Sequence, residues 1–509
     1  MKRLNRLFWL FPAFLLMSQF NPQSSRITEK FFPEKQDLPE VTPALKKQKG
    51  FTTYEELTAF LMDLCQKFPD QISLSYIGNT KKGLAIPLVQ LKSNGLGPKI
   101  KIWMQGGLHG DEPASTEALL YLLYQLLHDP AQAALLQKID LAVLPMANID
   151  GYLKQARNNS ENLDLNRDQT KLMATESALF KRAFSAFKPQ VAIDFHEYRP
   201  YRRDFAKMST FGVTSAYDVM FLYSGNLNVP ASLRTFTQEV FLKPTRAMLD
   251  AHELTHHDYV SSDTYRGEIN FNQGSNNARS SATNFALQSV VSTLVEVRGV
   301  GIGRTSFKRR IFTGYLIAKS YLEIAAEHSE QVKEAIQLAN TSSEAVTVNS
   351  KKHIYVGKLD FIDLEKTERM PLEVTLRDAW QSKPILTRSR PTAYLLNADQ
   401  AVLIRKIEAY GLQIQRLEAD KTYTVTQYTV QNYQRATEKY EKMNLQEVST
   451  TTEIITKTFP AGTYYLPVNQ PGSNIVFELL EPEAPNSFVS FGVLPTKAGD
   501  ILPIYRLTP

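Results

Sequence analysis

The stretch Ile100-Lys101-Ile102-Trp103-Met104-Gln105-Gly106-Gly107-Leu108-His109-Gly110-Asp111-Glu112, with the apolar-rich run Ala114 to Leu127 behind it, decides the fold class. Its first five residues predict a buried strand, the glycine pair ends that strand, and the spacing from Ala114 predicts a helix stopped by Pro130. The alternation continues with a strand at Leu141 to Met146, a helix at Leu172 to Phe187 and a strand at Val191 to Phe195. Such a pattern implies an α/β fold: a mixed, largely parallel sheet flanked by helices, with sites in the loops beyond the strands' carboxyl ends.

Upstream, Thr53 to Phe68 predicts a helix opened by Thr53 and Glu56 at capping-box spacing. Ile72 to Ile77 and Leu84 to Leu91 predict a hairpin around Gly78-Asn79 and Lys82-Gly83. Downstream, residues 199–285 are less regular, with a helical pattern around Leu233 to Leu249. A strand at Val290 to Val297 and a long amphipathic helix near Thr305 to Ala339 follow. The Thr/Ser/Val-rich stretch at 341–350 reads as a boundary. Beyond it, Ile354 to Leu359, Leu372 to Leu376, Leu412 to Leu417, Tyr423 to Val430 and Gly462 to Val468 predict a second, mainly β C-terminal domain with one helix near Asp399 to Tyr410. The expected division is 1–25 signal peptide, 26–49 linker, 50–340 catalytic domain and 350–509 β domain.

The chain has 509 residues, more than one core usually organises, and its 43% hydrophobic and 22% charged residues are those of a folded globular protein. Three charges of the formal +6 sit at Lys2, Arg3 and Arg6, and the rest are dispersed. No basic run interleaved with aromatics marks a nucleic-acid surface, so no nucleic-acid partner is expected. Leu7 to Phe20 is apolar but too short to span a bilayer, and behind three basic residues it has the length of a signal-peptide core. Export to the periplasm or the exterior is expected, with processing near residues 18–26 and no integral membrane span. The single cysteine, Cys65, excludes an internal disulfide.

His109 and Glu112 lie three apart in a loop that can aim both at one point. Zinc takes such ligands, and a catalytic site needs three of them. The third candidate is His196, at the end of the strand Val191 to Phe195 in Ile193-Asp194-Phe195-His196-Glu197. Alone, each of these features more often fills an ordinary surface or structural role. Two further polar clusters end other core strands. One runs Asn148-Ile149-Asp150-Gly151-Tyr152, then Arg157, then Asp164-Leu165-Asn166-Arg167-Asp168. In the other, Glu296 interrupts the apolar run Thr293 to Val297. A carboxylate there is either paired or put to use.

These clusters together resemble the zinc metallocarboxypeptidases of the carboxypeptidase A and B type. The matching order is His109 and Glu112, Asn148 to Tyr152, Arg157, Asn166 and Arg167, His196, and Glu296 with Arg298. The resemblance spans roughly residues 50 to 335 and implies that fold. It also implies one zinc per chain on His109, Glu112 and His196, a water deprotonated by Glu296, and an oxyanion met by Arg157. Asn166 and Arg167 are implied to clamp the free C-terminal carboxylate of a peptide substrate.

The gaps from Arg157 to Asn166 and from His196 to Glu296 differ from those of the digestive enzymes. The tyrosine that closes over substrate has only Tyr259 and Tyr265 as candidates, and the specificity residue is unplaced. Arg279 is a further arginine for an anionic substrate, with a surface role as the plainer alternative.

Three other readings stand beside this one. A zinc amidase on cell-wall peptides or N-acyl amino acids uses the same ligand set. A catalytically dead binding module would be favoured had Glu296 or Arg157 been missing. Finally, His252-Glu253-Leu254-Thr255-His256 spells the His-Glu-x-x-His of a different metalloprotease class.

Overall fold

The computed structural model describes residues 23–92 and 97–507; the expected signal peptide lies, up to residue 22, outside them. An eight-stranded sheet runs in the order Ile72–Asn79, Ala85–Leu91, Ile139–Leu144, Ile100–Gly106, Val191–Tyr198, Val291–Arg298, Val219–Leu222, His256–Asp258. Its central pairings are parallel: Ile100–Gly106 with Ile139–Leu144 and with Val191–Tyr198, and the latter with Val291–Arg298. The hairpin Ile72–Leu91 and the strand Val219–Leu222 join antiparallel, so the sheet is mixed and largely parallel, as the alternation implied.

Helices cover both faces. Trp103 meets Phe184 of the helix Thr175–Phe187 edge-on on one face, while Phe195 lies against Gly314 of the helix Phe307–Glu327 on the other. Every residue of Val191–Tyr198 is buried, which suits an apolar run. Asp194, His196 and Glu197 break that run at its carboxyl end, where the site forms. The capping box at Thr53 is present, with Thr53 and Glu56 each accepting from the other's backbone N–H.

Several expectations are corrected. The segment 26–49 is not a solvated linker: Ser25–Phe31 is helical, Ile27 and Phe32 pack with Ala216 and Ile362, and Leu38, Ala44 and Leu45 join the main core. Its Pro-rich polarity hid a sparse set of apolar anchors. The helix expected over Thr305 to Ala339 divides at His328 into Phe307–Glu327 and Ser329–Asn340.

The C-terminal part is mainly β, but its first hairpin crosses residues 341–350 to join the rest. Val346–Asp363 and Glu368–Arg388 form a five-stranded sheet with Val213–Ser215, Glu268–Gln273 and Val260–Tyr265. A six-stranded sheet follows, dominated by the hairpin Lys421–Tyr440 and Met443–Phe459, whose Thr-, Tyr- and Val-rich sequence suits long strands. Its two-residue turn, Glu441-Lys442, has φ of +47° and +65°, the primed turn that matches strand twist.

Candidate metal centre and active site

The loop after Ile100–Gly106 is shaped by backbone proximity. Gly107 turns the chain at φ +65°, and Gly110 packs so closely on the next loop that a Cβ there would lie 2.1 Å from the Gly151 carbonyl carbon. Pro113 opens the helix Pro113–His128, and Glu112 precedes it without capping it. Glu197 caps instead, its Oε2 accepting from the Ala114 N–H at 2.8 Å, which leaves the Glu112 carboxylate to face His109. Gly110→Ala is therefore expected to cost about 1–3 kcal/mol or more of stability and to weaken zinc binding, because backbone has to move. Denaturant unfolding and a zinc titration check it; native values in both would contradict this packing.

His109, Glu112 and His196, all buried, are the one group among the described residues placed to hold a metal ion, with ligand atoms within 4.8 Å of one another. His109 Nδ1 lies 2.7 Å from Glu112 Oε1 and 3.0 Å from His196 Nδ1, and His196 Nδ1 lies 2.8 Å from Glu112 Oε2. The far side of each ring faces a carboxylate: His109 Nε2 is 3.1 Å from Asp164 Oδ1, and His196 Nε2 is 2.9 Å from Asp194 Oδ2. With a cation bound, those carboxylates would hold the ring protons at Nε2 and leave both Nδ1 lone pairs directed to the side where the Glu112 carboxylate lies. Two lone pairs and an anion converging in a buried spot repel one another unless a cation sits among them, and two imidazoles with one carboxylate suit zinc. The field agrees. Burial opposes charge on His196, yet Asp194 and Glu112 outweigh it and raise its pKa well above the usual value.

Arg157 is aimed at this centre by Asp164, whose Oδ2 accepts from its Nε at 3.0 Å and its Nη2 at 2.8 Å. Nη1 is left 3.2 Å from His109 Nδ1. The Asn148 cluster builds the support: its Oδ1 accepts from the Gly151 N–H and its Nδ2 donates to the Arg157 carbonyl. Glu296 pairs in register with His196 across two parallel strands, so the two side chains share a face. Burial, with the Glu112 carboxylate beside it, pushes the Glu296 carboxyl up to about 7.

A cavity of about 400 Å³ is lined by His109, Arg157, Asn166, Arg167 and Glu296 together. Asn166 is held by its Oδ1, which accepts from the Ser281 N–H at 2.8 Å. Of the two candidate tyrosines, Tyr259 lines the cavity and Tyr265 does not. Arg298 lies outside it, donating to the Ser215 carbonyl and Thr214 Oγ1.

The His-Glu-x-x-His reading is overturned. The helix Lys243–Ala251 ends before His252, Glu253 sits at φ +56°, and His256 begins a strand with its Nε2 3.1 Å from Asp250. The two histidines therefore share no helix face.

Sequence reasoning quoted Asp164 and Asp194 without giving them a role. The spacing of Asp194 to His196, i to i+2 on one strand face, was the available signal. It missed Glu441 entirely: the turn of the long C-terminal hairpin reaches the site, where Glu441 Oε2 accepts from the Asp164 N–H at 2.9 Å. Beside it, Tyr440 lies under the Arg279 guanidinium at 4.9 Å.

A family model described as zinc carboxypeptidase matches residues 57–328. The chain is 29% identical to carboxypeptidase 2 of Trichophyton rubrum over 415 residues, 80% of this chain and 77% of that protein. It is 28% identical to carboxypeptidase 2 of Trichophyton equinum over 469 residues, 91% and 84% of the two chains. A crystal structure of a metallo-carboxypeptidase from Burkholderia cenocepacia overlaps 54% of this chain and 70% of that one, at 18% identity and a TM-score of 0.43.

Proposed function

The chain belongs to the zinc carboxypeptidase family and is a zinc-dependent hydrolase, and from that premise we propose that it removes the C-terminal residue from peptides using one zinc per chain. The observation that supports this most is the single cavity that joins the His109 end of the donor set to Glu296, Arg157 and the pair Asn166–Arg167. His109, Glu112 and His196 would hold the zinc. Bound there, it would supply Lewis acidity toward a carbonyl oxygen and a water.

The chain's own groups do the rest. Glu296 accepts a proton from the attacking water and delivers it to the departing amine. Arg157, braced by Asp164, donates to the oxyanion that forms at the carbonyl. Arg167 presents a guanidinium to the substrate's terminal carboxylate, with Asn166 beside it, so that the scissile bond lies over Glu296. Asp164 and Asp194 keep the two imidazoles in the ligating tautomer.

Arg167→Ala tests the carboxylate clamp. Truncating one partner of such a charge pair typically costs about 2–5 kcal/mol. The kcat/KM ratio of a free-acid peptide to its amidated counterpart is therefore expected to fall roughly 30-fold or more. Equal loss on both would point to an endopeptidase or a side-chain amidase instead.

Export is part of the same proposal. Its support is the basic Lys2, Arg3 and Arg6 ahead of the apolar Leu7 to Phe20, and among the described residues no helix is long and apolar enough to cross a membrane.

A further inference from the structure

The cavity carries more positive charge than removal of a C-terminal residue requires. Six basic side chains line it, Arg157, Arg167, Arg199, Arg202, Arg279 and Lys352, against the acids Asp111, Glu197 and Glu296. Several of these are already matched: Arg157 pairs with Asp164, Arg202 lies 3.5 Å from Asp204, and Glu197 pairs with Arg310 at 2.6 Å. Asp111 adjoins the metal donors, and Glu296 is the proposed base.

Among the described residues no carboxylate lies within ion-pair distance of Arg167, Arg199, Arg279 or Lys352. Arg167 has its task at the terminal carboxylate, and Arg199 is exposed to solvent. Arg279 and Lys352 are left over, both partly buried at the cavity wall, where an unpaired cation is costly without an anion to meet it.

Both are held in place rather than free to leave. Arg279 stacks over Tyr440 at the hairpin turn, and its backbone N–H donates to Asn486 Oδ1 at 3.0 Å. Lys352 comes from the strand Val346–Asp363, beyond the residues that match the family model, and enters beside the strand Glu268–Gln273. Its Nζ donates to Asn272 Oδ1 at 2.9 Å. The charges of Asp263 and Asp378 reach Lys352, neither from ion-pair distance, and Asp378 is occupied by the Trp380 N–H and by Gln381 and Gln273. The same cavity has an apolar wall where Met220, Leu222 and Leu294 share the sheet face of Glu296, and it suits the methylene stem of a side chain.

We infer that the cavity selects peptides whose C-terminal residue is itself acidic, with Lys352 and Arg279 receiving the side-chain carboxylate while Arg167 takes the terminal one. The assignment rests on the carboxypeptidase reading for its orientation of substrate. A C-terminal lysine or arginine meets like charge, and a neutral residue leaves both cations unanswered.

The test uses the full-length zinc-loaded protein and two free-acid peptides that differ only in ending in glutamate or leucine. The native protein is expected to favour the glutamate peptide in kcat/KM. Lys352→Met is expected to reduce that preference about ten-fold or more, and Lys352→Arg to retain most of it. A native preference for leucine, or a preference unchanged in Lys352→Met and in Arg279→Gln, overturns the inference and leaves the carboxypeptidase reading intact.

Binding to zinc-loaded Glu296→Gln, measured by calorimetry with the same peptides, separates the two claims. Tighter binding of the glutamate peptide by Glu296→Gln, with no cleavage by the native protein, upholds the acidic pocket and removes the carboxypeptidase reading. Equal binding of both peptides overturns the pocket whatever the turnover.

Discussion

Glu296→Gln is expected to keep the full zinc content and lose about 10²–10⁴-fold in kcat on free-acid peptides, the typical contribution of a positioned general base. The loss is at the upper end if the same group also hands the proton to the leaving amine. Glutamine preserves the shape of the side chain beside His196, its register partner, so the strand Val291–Arg298 has no reason to move. A melting curve matching the native one excludes unfolding as the cause. The control is Glu253→Gln, in the turn at φ +56° after the helix Lys243–Ala251, which is expected to retain activity within a few-fold. An active Glu296→Gln beside an inactive, metal-loaded Glu253→Gln would reverse the assignment.

His196→Ala should abolish stoichiometric zinc. It removes one of three protein donors, and loss of even an outer partner of such a ligand typically costs 10–100-fold in affinity. It also strands Asp194, a fully buried carboxylate that is left with Ser281 as its side-chain partner. Breaking a buried charge pair by removing one member typically costs about 3–5 kcal/mol, so a lower melting temperature should accompany the metal loss. Zinc measured by atomic absorption decides the matter: one equivalent retained by the variant rules His196 out as a ligand.

The sheet and the cavity residues were legible for a common reason. Residues such as His196 and Glu296 interrupt strands that are otherwise apolar, and a polar group at the carboxyl end of a central strand stands out against that background. Their supports were less legible. Asp194 and Asp164 look the same in sequence whether they meet a histidine or cap a turn, and Asp164 does both, its Oδ1 accepting from the Asn166 N–H and lying 3.1 Å from His109 Nε2. The His-Glu-x-x-His pentapeptide is a chance match for the converse reason, since its spacing presumes a helix and the helix here stops at Ala251.

Lys352 and Glu441 were invisible because one sits in a long polar strand among residues of its own kind and the other in the turn of a hairpin. Nothing local shows that either segment returns to a site built earlier in the chain. The packing of residues 26–49 escaped notice because a few apolar anchors among prolines do not form a period.

The hydrogen bond from the Asp164 N–H to Glu441 spans 277 positions of chain. Closing an open loop of that length costs roughly 5 kcal/mol of chain entropy by (3/2)RT ln n, a cost that pairing of the intervening strands lowers by bringing the ends together. During synthesis the residues from His109 to Glu296 emerge well before Glu441 does. The segment that carries Asp164, in contact with both His109 and Arg157, thus acquires this partner only after the hairpin has followed it out, so a stretch of chain far downstream helps to set the shape of the cavity.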